Sequence, residues 1–175
     1  MSVMRVLGLD PGSRHAGYGV VERVGSRVRS IACGRISPDP GQSQASRLAT
    51  LATELEALVE EHRPDCAAVE RVFHGVNARS LIVLAEARGA LLAILGRHGL
   101  PVIELAPAAV KSAVAGSGRA DKRQVARMVA LQLGLAGSEL PPDATDALAV
   151  ALCHALAGRG ALAIAAAGTP RPRRK

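Results

Sequence analysis

The chain has 175 residues, of which 49% are hydrophobic and 21% are charged, and its formal net charge at pH 7 is +7. A domain of this length removes roughly 70% of the unfolded chain's surface from water, so a stable core needs no disulfides. This composition excludes a disordered segment and a membrane protein, and the positive charge suggests contact with an anionic polymer.

The hydrophobic pattern predicts three strands at the start of the chain. A near-continuous apolar run at residues 3–9 ends at Asp10, and the Pro-Gly that follows is typical of a tight turn. Residues 17–24 and 27–36 are two further β-rich segments, and the Gly-Ser between them predicts a hairpin. We therefore expect three antiparallel strands.

From residue 45 onward the hydrophobic period becomes helical. Leu48, Leu51 and Leu55 fall on one face of a helix that ends before Pro64. A short apolar strand then ends at Glu70. The remaining predicted elements are a helix at 78–97, a strand at 101–105, a helix at 107–114, a basic helix capped by Asp121, and a helix from Asp143 to about residue 156.

This order of elements predicts an α/β fold with a five-stranded mixed sheet, three antiparallel strands followed by two parallel ones, flanked by helices. Right-handed crossovers bring the first and fourth strands side by side, so Asp10 and Glu70 at their carboxyl ends should meet. We expect one domain over residues 1–157. Residues 158–175, rich in Ala and Gly and then in Pro and Arg, are expected to form a flexible basic tail.

Four acids form the predicted chemical centre: Asp10 and Glu70 at strand ends, and Asp143 and Asp146 on one face of a helix start. Converging carboxylates repel each other unless hard cations such as Mg²⁺ or Mn²⁺ lie between them. Asp10 could instead shape a turn and Asp143 could cap a helix, but Glu70 fits neither role. Asp146 could orient Asp143 rather than bind metal directly.

Two residue types that this chain rarely uses also mark candidate sites. Only three of the 22 basic residues are lysine, and Lys111 and Lys122 lie in or near a segment rich in Gly and Ser. A lysine there can meet a phosphate oxygen as a point charge, or it can be an ordinary solvated lysine. Phe73 is the only phenylalanine and lies in a polar, basic loop, where it could stack on a base or fill the core.

Several motifs appear in order along the chain: LGLDPGSRHAGYG at residues 7–19, VERVF at 69–73 followed by Asn77, VK at 110–111, GSG and DK within 116–122, and DATDALA at 143–149. Together they closely resemble the RuvC family of bacterial Holliday junction resolvases, from about residue 3 to about residue 155. The resemblance implies an RNase H-like fold and a homodimer. It also implies symmetric, metal-dependent nicking of two opposed strands of a four-way DNA junction, alongside the RuvA and RuvB branch-migration proteins, in recombination and repair.

By that resemblance, the four acids are the catalytic metal ligands for Mg²⁺ or Mn²⁺, with two ions per site. Lys111 and Lys122 are the basic residues near the scissile phosphate, and Phe73 is the aromatic that stacks on a base at the junction centre. The other residues expected to contact DNA are Arg71, His74, Asn77, Arg79, Arg119 and Arg123. Those between positions 71 and 79 could equally cap the helix that follows.

Three other functions compete with a junction-cutting enzyme. An actin-like ATPase or sugar kinase also opens on a strand ending in Asp-x-Gly, but 175 residues are too few for its paired lobes. A junction-binding protein without catalysis and an RNase H-like nuclease acting on RNA are the remaining alternatives. The chain's start lacks the pattern of a signal peptide, and its three cysteines show no zinc spacing, so we expect a cytoplasmic protein.

Overall fold

The computed structural model describes residues 3–12, 14–71 and 77–157. Phe73, His74 and the predicted tail at 158–175 lie outside these ranges. None of the helices within these ranges combines the length and apolarity that crossing a membrane requires. The elements are β1 (Val3–Pro11), β2 (Ala16–Val24), β3 (Arg27–Ile36), α1 (Gln44–His62), β4 (Cys66–Glu70), α2 (Ala78–Arg97), β5 (Val102–Leu105), α3 (Pro107–Ala115), α4 (Lys122–Leu133) and α5 (Pro142–Ala157).

The five strands form one mixed sheet in the order β3-β2-β1-β4-β5. The pairs β1–β2 and β2–β3 are antiparallel, and β1–β4 and β4–β5 are parallel, so the predicted topology is confirmed. β1 extends past its predicted end because Asp10 still pairs with Gly17, and Pro11 with Ala16. The turn after β1 is therefore shorter than the sequence pattern indicated.

Each face of the sheet packs against its own set of helices. Leu7 and Leu9 of β1 belong to a core shared with α1 and α2. Val6 points to the opposite face and packs with residues of α3, α4 and α5. This alternation follows from the two-residue period of a strand, which sends successive side chains to opposite faces. Asp10 is in step with Val6, so its side chain faces α5.

Two glycines allow α5 to lie directly on the sheet. A Cβ on Gly8 would overlap the backbone of Ala147 and come within 2.8 Å of the Ala151 Cβ. A Cβ on Gly17 would overlap the carbonyl group of Asp143. Without these side chains, the helix backbone approaches β1 and β2 closely, and the first turn of α5 is placed beside the end of β1.

Candidate active site

Asp10 and Glu70 lie side by side at the carboxyl ends of two neighbouring parallel strands. The register pairs Leu9 of β1 with Val69 of β4, so the acids that follow these residues are also neighbours. Leu9 and Val69 are buried in the core with α1 and α2, and the two acids therefore face the other side, toward α5. The predicted meeting of these two strand ends is present in the structure.

Asp143 and Asp146 approach the same point from the first turns of α5. Their side chains are 35% and 27% exposed, so both are open to solvent yet partly enclosed. The pKa of Asp10 is raised to about 7, mainly by burial and then by the nearby carboxylates of Asp146, Glu70 and Asp143, in that order of importance. All four acids thus act on one electrostatic centre.

Two lysines border this centre on the α3 and α4 side. Lys122 Nζ lies 2.6 Å from Asp146 Oδ2, and this hydrogen bond raises the pKa of the lysine. Burial and Asp146 raise the pKa of Glu70, whereas Lys111 and Lys122 lower it. A cavity of about 210 Å³ is lined by Glu70, Lys111, Lys122 and Asp146 among others. The structure therefore brings both predicted lysines to the predicted acids.

Lys122 owes its position to the start of α4. Asp121 caps that helix, and its side chain accepts a hydrogen bond from the Gln124 amide at 2.9 Å. The Gln124 side chain accepts one in return from the Asp121 amide at 3.0 Å. This reciprocal capping box defines the first helical residue, and that residue is Lys122.

Arg35 on β3 is a further cation at this centre, and the sequence analysis missed it. Its Nη1 lies 3.8 Å from Asp143 Oδ2, and its Nε donates to Ser37 Oγ at 3.0 Å. Arg35 pairs with Gly17 across the sheet, so both positions face α5. Because Gly17 has no side chain, Arg35 reaches the first turn of the helix. Only the cross-strand register could have indicated this contact.

The donor chemistry of this site suits a hard divalent cation. Within the described part of the chain, no three acidic, histidine or cysteine side chains converge closely enough to enclose a metal ion as they stand. Asp146 is instead paired with Lys122, and Asp143 with Arg35. Carboxylate oxygens are the ligands that Mg²⁺ and Mn²⁺ prefer. Burial and three neighbouring carboxylates raise the pKa of Asp10, and a bound cation would offset both effects.

Two residues of the predicted DNA-contacting segment have structural partners. Asn77 caps α2, because its Oδ1 accepts a hydrogen bond from the Ser80 amide at 2.9 Å. This is the alternative role that the sequence left open, and it determines where α2 begins. Arg71 is exposed, with its Nε 3.8 Å from Glu104 Oε2, and so remains on the surface next to Glu70.

The other predicted DNA contacts are spread over the surface. Arg79 is exposed on the first turn of α2, and Arg123 is exposed on the first turn of α4, next to Lys122. Arg119 lines a different cavity, which it shares with Arg127 of α4. Arg119 therefore lines a cavity to which none of the four acids contributes, and Arg123 is an exposed neighbour of Lys122 along α4.

Comparisons with known proteins agree with this geometry. The family "Crossover junction endodeoxyribonuclease RuvC" matches residues 6–154. A RuvC of Chloroflexus aggregans is 49% identical over 152 residues, which are 87% of this chain and 93% of that protein. A RuvC of Sorangium cellulosum is 46% identical over 171 residues, covering 98% and 95%.

A solved structure matches as well. The structure of Thermus thermophilus RuvC in complex with Holliday junction substrate is similar with a TM-score of 0.84 and 33% identity, covering 91% of this chain and 97% of that one. The sequence matches span nearly the whole chain, and the fold agrees with that of a solved RuvC. The chain belongs to the RuvC family of crossover junction endodeoxyribonucleases.

Proposed function

We propose that this chain resolves Holliday junctions by metal-dependent nicking of two opposed DNA strands, and that Asp10, Glu70, Asp143 and Asp146 are its catalytic acids. The observation that carries the proposal is the convergence of these carboxylates, with Lys122 hydrogen-bonded to one of them, at the end of β1. Family membership and the similarity to a RuvC solved with its junction substrate support the DNA substrate.

The chain's own residues explain how a phosphodiester would be held. Lys111 and Lys122 line the cavity beside Glu70, so their ammonium groups can neutralise a phosphate that approaches the acids. Asp10 and Glu70 project from paired strands and are therefore held in position before the substrate binds. Mg²⁺ or Mn²⁺, two ions per site, would supply the charge that activates the attacking water and stabilises the leaving oxygen.

A homodimer accounts for two cuts per junction, because each copy carries one set of acids. α2 buries Ala87, Leu91 and Leu95 against the sheet, yet Leu81 and Ile82 near its start are 42% and 58% exposed. An isologous contact through a two-fold axis would cover these side chains with the same patch of a second copy. We place the dimer contact on this face of α2.

The remaining contacts follow from the family. Phe73 would stack on a base at the junction centre, with His74, Arg71 and Arg79 on the flanking backbone. The chain would act with RuvA and RuvB in the cytoplasm, and residues 158–175 would form a basic tail that adds nonspecific attraction to phosphate. Arg123 would extend the basic surface next to Lys122, and Arg119 would reach more distant phosphates.

The proposal is tested with three labelled substrates: a synthetic four-way junction, a linear duplex of the same sequence and an RNA/DNA hybrid. Each is incubated with the full chain, with and without Mg²⁺ or Mn²⁺, and the products are resolved on a denaturing gel. We expect paired symmetric nicks on the junction alone, and only with metal. Cutting of the hybrid alone would instead identify a nuclease that acts on RNA.

Glu70→Gln tests the site itself. The amide keeps the size of the side chain but loses the charge that holds a cation, so cleavage should disappear while junction binding stays near that of the parent. Glu60→Gln, an exposed position on α1, is the matched control and should cleave normally. Parent-level cleavage by Glu70→Gln would refute the assignment of the acids. Mn²⁺ titration calorimetry on the same variants separates lost metal binding from lost catalysis.

A further inference from the structure

A second basic cavity lies at the same end of β1 as the acids, on the opposite face of the sheet. It has a volume of about 420 Å³ and is lined by Arg14, His15, Pro38, Pro40 and Arg47. Its residues come from the turn between β1 and β2, the loop after β3 and the first turn of α1. None of them belongs to the centre formed by the four acids.

The charges around this cavity favour an anion. Among the residues that the structure describes, two guanidinium groups line the cavity and no carboxylate does. The nearby Asp39 is exposed and does not line the cavity, and its Oδ1 accepts a hydrogen bond from the Gly41 amide at 2.9 Å. Arg47 lies one turn after Ser43, the N-cap of α1, so the positive end of the helix dipole adds to the field.

The cavity also offers a polar atom and rigid walls. His15 Nδ1 is buried and has no hydrogen-bond partner among the described residues. The turn that carries it is closed by a hydrogen bond from the Gly12 amide to the His15 carbonyl oxygen at 2.9 Å. Pro38 is buried and fixes the opposite wall. The cavity's volume can take a phosphate with part of its sugar.

The position of the cavity relative to the acids identifies the ligand. Arg14 follows Asp10 by four residues, and the turn between them reverses the chain at the carboxyl end of β1. Leu9 faces α1 and Asp10 faces α5, so the cavity and the acids flank one strand end. A DNA strand carries a phosphate at every nucleotide, and one bound at the acids presents further phosphates to neighbouring surfaces.

We infer that this cavity, which we call the Arg14–Arg47 pocket, binds a backbone phosphate of the junction DNA outside the scissile position. The inference rests on the proposed function and adds a contact that positions the DNA across the end of β1. Phosphate contacts of this kind fix register and orientation and carry no base specificity. Arg14 is the donor to test because it is exposed, and its replacement leaves the core intact.

The test measures junction binding by fluorescence anisotropy over a range of salt concentrations. Every variant also carries Asp10→Asn, so that the DNA stays intact. Arg14→Ala should weaken binding about five- to tenfold at 0.1 M salt and reduce the slope of log K against log salt by about one. Arg14→Lys keeps the charge but loses the planar guanidinium group, so its affinity for the junction should lie between those of Arg14→Ala and the parent.

Arg27→Ala is the matched control. Arg27 is an exposed arginine at the start of β3, at the end of the sheet opposite to the acids. It removes the same net charge and should leave the salt slope unchanged. Equal salt slopes and equal junction affinities for Arg14→Ala and the parent would overturn the inference that this pocket binds DNA. A loss of junction affinity for Arg27→Ala as large as that for Arg14→Ala would also overturn the inference, because the effect would then reflect the net charge of the protein.

Free phosphate is the other source of the same chemistry. Inorganic phosphate, added at constant ionic strength, should leave the melting temperatures of the parent and of Arg14→Ala equally unaffected. Stabilisation of the parent alone, with unchanged DNA slopes, would assign the pocket to free phosphate and overturn the inference. If the parent does not prefer the junction to the linear duplex, the proposed function is refuted as well. If the parent binds the junction normally and Arg14→Ala binds it equally well, only the phosphate site is refuted.

Discussion

Gly17→Ala tests whether the contact between β2 and α5 positions Asp143, one of the acids that we propose as catalytic. The added Cβ would overlap the carbonyl oxygen and carbon of Asp143 and lie 3.1 Å from its Cα. Carbon atoms pack best at about 3.5 to 4.0 Å, so the first turn of α5 must retreat by roughly 1 Å. Overpacking of this kind costs about 1–3 kcal/mol of stability.

The larger effect falls on activity. Misplacing a catalytic group by about 1 Å can cost on the order of a hundredfold in rate, so junction cleavage by Gly17→Ala should fall by about that factor. The melting temperature should drop by about 2–12 °C, because each kcal/mol corresponds to about 2–4 °C for a chain of this size. Single-turnover cleavage and thermal unfolding are measured on the same preparations.

Gly96→Ala is the matched control for this prediction. Gly96 lies in the last turn of α2, and a Cβ there meets no atom within 4 Å. This variant should cleave like the parent, with stability unchanged or slightly higher. Parent-level cleavage by a folded Gly17→Ala protein would show that the approach of α5 to β2 does not position Asp143, and the reasoning would be wrong.

Three further predictions concern other parts of the molecule. Burial and Arg23 lower the pKa of His154, so only the unfolded chain takes up its proton near pH 6.5. Stability should therefore fall as the pH drops below that value, and His154→Leu should show a weaker decrease in melting temperature between pH 7 and 5. Arg35→Ala removes a positive charge 3.8 Å from the carboxylate of Asp143, which we propose as a metal ligand, and should tighten Mn²⁺ binding about two- to fivefold in calorimetry. Unchanged or weaker binding contradicts this. If the chain forms the homodimer that we propose, Ile82→Asp should convert it to a monomer in sedimentation analysis, and a variant that stays dimeric places the contact elsewhere.

The strand ends that carry the acids could be predicted because each apolar run stops at a carboxylate. A glutamate such as Glu70 at the end of a buried strand has no role as a turn former or a cap, so its chemistry stands out. The parallel pairing of β1 with β4 followed from chain order and the handedness of crossovers. The fold class and the mixed sheet were confirmed, and the helix boundaries agree with the predicted ones to within a few residues.

Contacts between distant segments could not be predicted in this way. Asn77 was compatible with both a DNA contact and a helix cap. The structure shows that its Oδ1 caps α2, and the DNA contact stays a prediction. Arg119 lines a cavity together with Arg127 of α4, and its sequence neighbours did not indicate this contact. Local pattern cannot distinguish such cases, because both alternatives satisfy the same composition.

The sequence alone determined the fold class, the strand ends and the set of acids, since periodicity and motif order are properties of short segments. The tertiary structure decided which cations face those acids. Lys122 reaches Asp146 because a capping box begins α4 at that residue, and Arg35 reaches Asp143 across the space that Gly17 leaves open. These pairings depend on the register of β2 with β3 and on the close approach of α5, which form only when the whole sheet is assembled.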